Sequence, residues 1–134
     1  MVVDWIAPVE RGQPAIAALE RLSSQGSALL APPLLIAEVS NALLTGVRRG
    51  RWDGAMADGA RSLLAEAPVR LEDDSRDVDR AWDLARRFDN HPIYDMVYVA
   101  LAERTGMKLI TSDPKLRRAL AGLDLLVSPE EVLR

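Results

Sequence analysis

The segment from His91 to Asp113 constrains the fold of this chain more than any other. Pro92 indicates the start of a helix, and the residues from Met96 to Ala102 are apolar on nearly every face, so we predict a largely buried helix. A threonine-glycine pair at 105–106 ends it. Because such a helix must be enclosed, the rest of the chain is expected to be its scaffold.

Two carboxylates lie at the two ends of this unit. Asp95 is in the first turn of the buried helix, so its carboxylate lies close to a core. A short apolar strand at residues 108–110 follows, and Asp113 comes shortly after its end. In open α/β sheets, functional sites form at the carboxyl ends of parallel strands. The sequence therefore predicts that Asp113 lies at such an edge.

The remaining segments alternate between short apolar strands and helices. We predict further strands at residues 2–3, 28–30, 69–71 and 125–127, and further helices at residues 14–22, 34–49, 52–67, 72–88, 114–121 and 129–133. On the helix that ends near Phe88, the apolar side is formed by Val78, Ala81, Trp82 and Ala85. This alternation is typical of a parallel sheet covered on both faces. The predicted fold is α/β with three layers: a short central parallel sheet with helices on both faces.

Length, composition and charge bound the class of protein. The 134 residues are expected to form one domain over residues 1–134. With 49% hydrophobic and 28% charged residues the composition is globular, and no apolar run approaches the roughly 20 residues that span a bilayer. The chain has no cysteine and its start lacks signal-peptide features, so we expect a cytoplasmic protein without membrane insertion. A net charge of −3 argues against broad, non-specific attraction to nucleic acid.

Most chemical systems lack the residues that they need. There is no cysteine, one histidine (His91) and no GxSxG sequence, which argues against nucleophilic hydrolysis. Neither GxGxxG nor GxxxxGK[ST] is present, so the usual nucleotide-phosphate loops are absent. A zinc site also lacks ligands. Carboxylates at the ends of elements are the remaining candidates.

Four acids beside apolar segments form this candidate set. Asp4 follows the first predicted strand, and Glu38 lies on a mostly apolar helix; Asp95 and Asp113 complete the set. Each alone has an ordinary explanation, such as the N-cap position of Asp113. Together they could converge at the carboxyl edge of the sheet, where repulsion would favour a bound Mg²⁺ or Mn²⁺ ion. Such a site serves phosphodiester hydrolysis, although the spacing alone suggests this chemistry without specifying it.

Three stretches resemble the PIN-domain family and, within it, the VapC-type toxins of bacterial toxin–antitoxin pairs. They are VVD at residues 2–4, APPLLIAEVSNAL at residues 31–43 and YDMVYVALAERTGMKLITSDPKL at residues 94–116. The resemblance covers nearly the whole chain, and the second and third stretches are specific in combination.

The resemblance implies a magnesium- or manganese-dependent endoribonuclease that cuts structured RNA such as tRNA or ribosomal RNA. The acids that match the family's metal ligands are Glu38, Asp95 and Asp113, while Asn41 and Thr111 match polar positions that support the site. The family also implies a homodimer and a cognate VapB-type antitoxin that occupies the site.

The amino end departs from the family pattern, because Asp4 is followed immediately by the residues WIAPVERG. In one alignment, which we favour, Asp4 is the first catalytic acid and the loop after it is shortened. In the other, Trp5 and Pro8 match a later aromatic and proline, and the first strand with its acid is missing. The second alignment predicts weak metal binding or inactivity, and with it an alternative function: a catalytically impaired PIN fold that only binds a partner protein.

Overall fold

The computed structural model describes residues 13–134, with side chains from residue 16 onward. Its elements are α1 (Gln13–Ser24), β1 (Leu30–Ala31), α2 (Leu34–Arg48), α3 (Gly54–Ala65), β2 (Arg70–Leu71), α4 (Ser75–Arg87), α5 (Ile93–Thr105), β3 (Leu109–Ile110), α6 (Pro114–Ala119), β4 (Leu126–Val127) and α7 (Pro129–Val132). Every helix and strand predicted within this part is present, with ends that differ by a few residues. The predicted strand at residues 2–3 and Asp4 lie outside it.

The strands form two parallel pairs. β1 pairs with β2, with Leu30 opposite Arg70, and β3 pairs with β4, with Leu109 opposite Leu126. Among the residues described, these are two separate two-stranded sheets. The α/β class and the parallel pairing are confirmed, while the three-layer arrangement around one central sheet stays a prediction.

The first core cluster is built on α2, α3 and β1. Leu35, Val39 and Leu43 recur every four residues on α2, so they form one buried stripe. Trp52 closes the cluster: its indole N–H donates to the Leu43 carbonyl at 2.9 Å. Its ring lies so close to Gly46 that a Cβ there would come within 2.1 Å of it. Only glycine therefore leaves room for the ring at this point of α2.

The second core cluster is built mainly on α4 and α5. α5 buries Met96 and Val99 completely and ends at Gly106, whose φ of 68° is the left-handed conformation that glycine adopts easily. The predicted buried helix and its stop are thus confirmed. On α4 the small Ala81 is buried, but Val78 and Trp82 are 53% and 61% exposed, which differs from the predicted apolar side.

Ion pairs join α4 to α5 at the edge of the second cluster. The Arg104 guanidinium donates to both carboxylate oxygens of the buried Asp77, at 2.8 and 3.0 Å. Arg80 makes the same bidentate contact with Glu103, at 2.7 and 3.0 Å.

None of the helices in the described part of the chain, residues 13–134, could span a membrane.

Candidate active site

A cleft of about 720 Å³ is lined by residues of both strand pairs. Its walls are mostly apolar and come from β1 and β3, from helices α1, α2 and α5, and from the carboxyl-terminal end of the chain. Three of the residues selected from the sequence line it: Glu38, Asp95 and Thr111. The fold therefore brings acids from α2 and α5, far apart in the chain, to one concave surface.

Glu38 lies at the rim of the first core cluster. Leu35 and Val39 of the buried stripe flank it, so Glu38 lies at the edge of this stripe, and its side chain is exposed. One of its oxygens, Oε1, accepts a hydrogen bond from the Tyr98 hydroxyl at 2.5 Å. This bond links α2 to α5.

Asp95 lies in the first turn of α5, where the positive end of the helix dipole favours a carboxylate. Its Oδ2 is 2.8 Å from Nε2 of His91, which lies four residues earlier, before the helix begins. His91 is largely buried, with 19% of its side chain exposed, whereas 41% of the Asp95 side chain is exposed. The histidine therefore holds one carboxylate oxygen while the side chain remains accessible.

Asp113 follows β3 and caps α6, as its position before Pro114 predicts. Its Oδ1 accepts a hydrogen bond from the Lys115 N–H at 2.9 Å, and its own N–H donates to Thr111 Oγ1 at 3.1 Å. Thr111 thus supports the turn that carries Asp113. Asp113 is exposed and does not line the cleft.

The other two candidates have less structural support. Asn41 is exposed on α2, about one turn after Glu38, and is not part of the cleft lining. Asp4 lies outside the described residues. The ligand and supporting roles of all six candidates therefore stay predictions.

The sequence analysis missed Tyr98 as a site residue. Burial raises the pKa of Tyr98 above its ordinary range, and the hydrogen bond to Glu38 and the nearby charges of Glu38 and Asp95 raise that pKa further. The raised pKa favours the protonated phenol, which donates the hydrogen bond to Glu38. Its spacing of three residues from Asp95, on one helix face, was the signal available in the sequence.

The donor set of the cleft fits a hard divalent cation in part. Among the described residues, no group of three or more His, Asp or Glu side chains is placed to hold a metal ion. Glu38 and Asp95 each have one oxygen engaged, while the other makes no hydrogen bond or ion pair within residues 13–134. Because Mg²⁺ is commonly bound by one or two carboxylates plus water, these two free oxygens suit it.

Comparison with known proteins agrees with the resemblance seen in the sequence. The family model described as PIN domain matches residues 2–121. Ribonuclease VapC3 of Mycobacterium tuberculosis, found in two strains, is 37% identical over 93 residues, which cover 69% of this chain and 66% of that protein. The matched part thus spans just under two thirds of the relatives' length. The predicted resemblance to VapC-type PIN proteins is confirmed, and the chain belongs to the PIN-domain family.

Proposed function

We propose that this chain is a metal-dependent endoribonuclease toxin that hydrolyses phosphodiester bonds of structured RNA, such as tRNA or ribosomal RNA. The main support is the cleft in which Glu38 and Asp95 each keep one free carboxylate oxygen. The similarity to a protein named ribonuclease supports the same reaction. In this proposal Asp4, Glu38, Asp95 and Asp113 hold Mg²⁺ or Mn²⁺.

The side chains of the cleft have distinct roles in the proposed reaction. Glu38 and Asp95 would hold the ion, which when bound stabilises charge on the phosphate and activates water. His91 orients the Asp95 carboxylate by occupying Oδ2. Thr111 supports the turn before α6, which carries Asp113.

The partners and setting are part of the same proposal. From family membership we propose that the chain forms a homodimer, works in the cytoplasm and is silenced by a cognate VapB-type antitoxin that covers the cleft. Residues 1–134 are proposed to act as one domain.

Asp95→Asn tests the proposed reaction. The amide keeps the size and one hydrogen-bonding oxygen but removes the charge that would hold the ion, so magnesium-dependent RNA cleavage should fall by more than about 100-fold. The purified protein, freed of antitoxin, is assayed on tRNA and ribosomal RNA, and circular dichroism checks the fold. Asp58→Asn, an exposed acid on α3, is the matched control and should cleave normally. Full cleavage by Asp95→Asn would contradict the proposal.

A second candidate function is a catalytically impaired PIN fold that acts only by binding a partner protein. It is favoured by the lack of a three-ligand metal cluster among the described residues and by the position of Asp113 outside the cleft lining. Cleavage of RNA by the wild-type protein that stops when EDTA removes the metal would dismiss this candidate. Partner binding with no cleavage at any magnesium or manganese concentration would favour it.

A further inference from the structure

The hydrogen bond between Tyr98 and Glu38 joins two elements that are far apart in the sequence. The two residues are 60 positions apart, on α5 and α2, and the hydroxyl lies 2.5 Å from Glu38 Oε1. The Tyr98 ring packs against the first core cluster, so apolar contacts fix its position independently of the hydrogen bond. A phenol held in this way is a rigid donor for a flexible carboxylate.

The chemical type of this partner separates Glu38 from the structural acids of the protein. Asp77 and Glu103 are paired with Arg104 and Arg80, whose positive charges offset theirs. Tyr98 is an uncharged phenol that contacts Glu38 through its hydroxyl. Tyr98 therefore fixes one oxygen of Glu38 without placing a positive charge beside it. A carboxylate in this state is suited to bind a cation, whereas a guanidinium partner would repel one.

We propose that Tyr98 is a positioning residue for the cation site: its hydroxyl fixes the Glu38 carboxylate so that the second oxygen is available to a divalent ion in the cleft. This inference rests on the proposed function, because it assumes that Glu38 is a metal ligand. Groups that orient ligands in this way commonly change metal affinity by about 10- to 100-fold.

Tyr98→Phe tests the role because it keeps the ring and its packing and removes only the hydroxyl. Binding of Mn²⁺ to the purified full chain is measured by isothermal titration calorimetry, and RNA cleavage is followed as a function of Mn²⁺ concentration. We expect Mn²⁺ to bind about 10- to 100-fold more weakly. Cleavage should need correspondingly more Mn²⁺ and approach the wild-type rate at saturation. Tyr94→Phe, on the exposed side of the same helix, is the control and should leave Mn²⁺ affinity unchanged.

A second pair of variants shows whether Tyr98 acts through Glu38. In a Glu38→Gln background, Tyr98→Phe should cause no further loss of Mn²⁺ affinity, since the carboxylate that it positions is gone. If Tyr98→Phe weakens Mn²⁺ binding equally in the wild-type and Glu38→Gln backgrounds, the proposed role is overturned. It is also overturned if the Tyr98→Phe protein binds Mn²⁺ as tightly as the wild type. A wild-type protein that neither binds Mn²⁺ nor cleaves RNA would instead overturn the proposed function, and this inference with it.

Discussion

The two core clusters differ in how charged groups are attached to them. At the edge of the second cluster, Asp77 and Glu103 each accept two hydrogen bonds from the guanidinium of an arginine on the facing helix. At the rim of the first cluster, Glu38 is bound through one oxygen by the neutral Tyr98. Both arrangements join two helices, but only the second cluster offsets the negative charge.

This difference separates charges that stabilise the fold from charges that remain available for chemistry. A carboxylate in a bidentate contact with a guanidinium has both oxygens engaged and its charge offset, so it binds a further cation poorly. Glu38 and Asp95, each held through one oxygen beside an apolar cleft, retain that capacity. The first cluster should therefore depend for its stability on steric fit and on Tyr98, and the second in part on ion pairs. Three predictions test this contrast.

The largest effect is expected from Gly46→Ala in the first cluster. The new Cβ would lie 2.1 Å from the nearest atom of the Trp52 ring, so the ring must move and its hydrogen bond to the Leu43 carbonyl is weakened or lost. We expect the free energy of unfolding to fall by about 1–3 kcal/mol, measured by urea denaturation.

Gly59→Ala on the exposed side of α3 is the matched control for this substitution. A Cβ there meets nothing within 4 Å, so the helix should gain about 0.5–1 kcal/mol from the better helix former. Equal effects of the two alanines would show that the first cluster does not depend on the fit between Trp52 and α2.

The sequence predicted the local features of both clusters better than their contacts. The apolar run of α5 and its glycine stop depend on neighbouring residues, and both were predicted correctly. The burial of Asp77 has no such local signal, because it depends on Arg104, 27 residues further along the chain. The pairing of Tyr98 with Glu38 spans 60 residues and leaves no periodic signal. Such contacts are set by how helices pack, which periodicity does not encode.

The same distinction applies to the candidate site. The position of Asp113 as a helix cap is a local property and is confirmed. The shared cleft of Glu38 and Asp95 depends on the packing of α2 beside α5, so the sequence could only suggest that the acids converge. His91 and Tyr98, which hold these acids, were not selected: a lone histidine more often has a structural role, and the contact of Tyr98 with Glu38 depends on how the helices pack.

A smaller effect is expected from Tyr98 at alkaline pH. Its pKa is raised by burial and by Glu38, so the folded protein holds this proton at a pH where the unfolded chain, with a tyrosine pKa near about 10, releases it. The stabilisation is thus complete below about pH 10 and is lost as the pH rises further. Because solvent reaches part of the site, the slope should stay below the one-proton limit of about 1.4 kcal/mol per pH unit.

Tyr98→Phe removes this group and should flatten the alkaline fall in stability. Urea denaturation at several values between about pH 9 and pH 11 measures the slope, with Tyr94→Phe as the exposed control. An unchanged slope in Tyr98→Phe would show that the phenol is not held in its protonated form by the rim of the first cluster.

The smallest effect is expected from the ion pair between Glu103 and Arg80 in the second cluster. The hydrogen bonds from Arg80 lower the pKa of Glu103, so this pair stabilises the fold above the unfolded glutamate pKa of about 4.3, and the effect is lost as the pH falls through the lower folded value. Because both side chains are partly exposed, Glu103→Gln should cost less than about 1 kcal/mol at neutral pH, and less still in 1 M salt. Thermal denaturation between about pH 3 and pH 7 measures the difference, with Glu20→Gln on the exposed side of α1 as the control. A loss as large as that of Gly46→Ala would mean that charge pairing matters as much to the second cluster as steric fit does to the first.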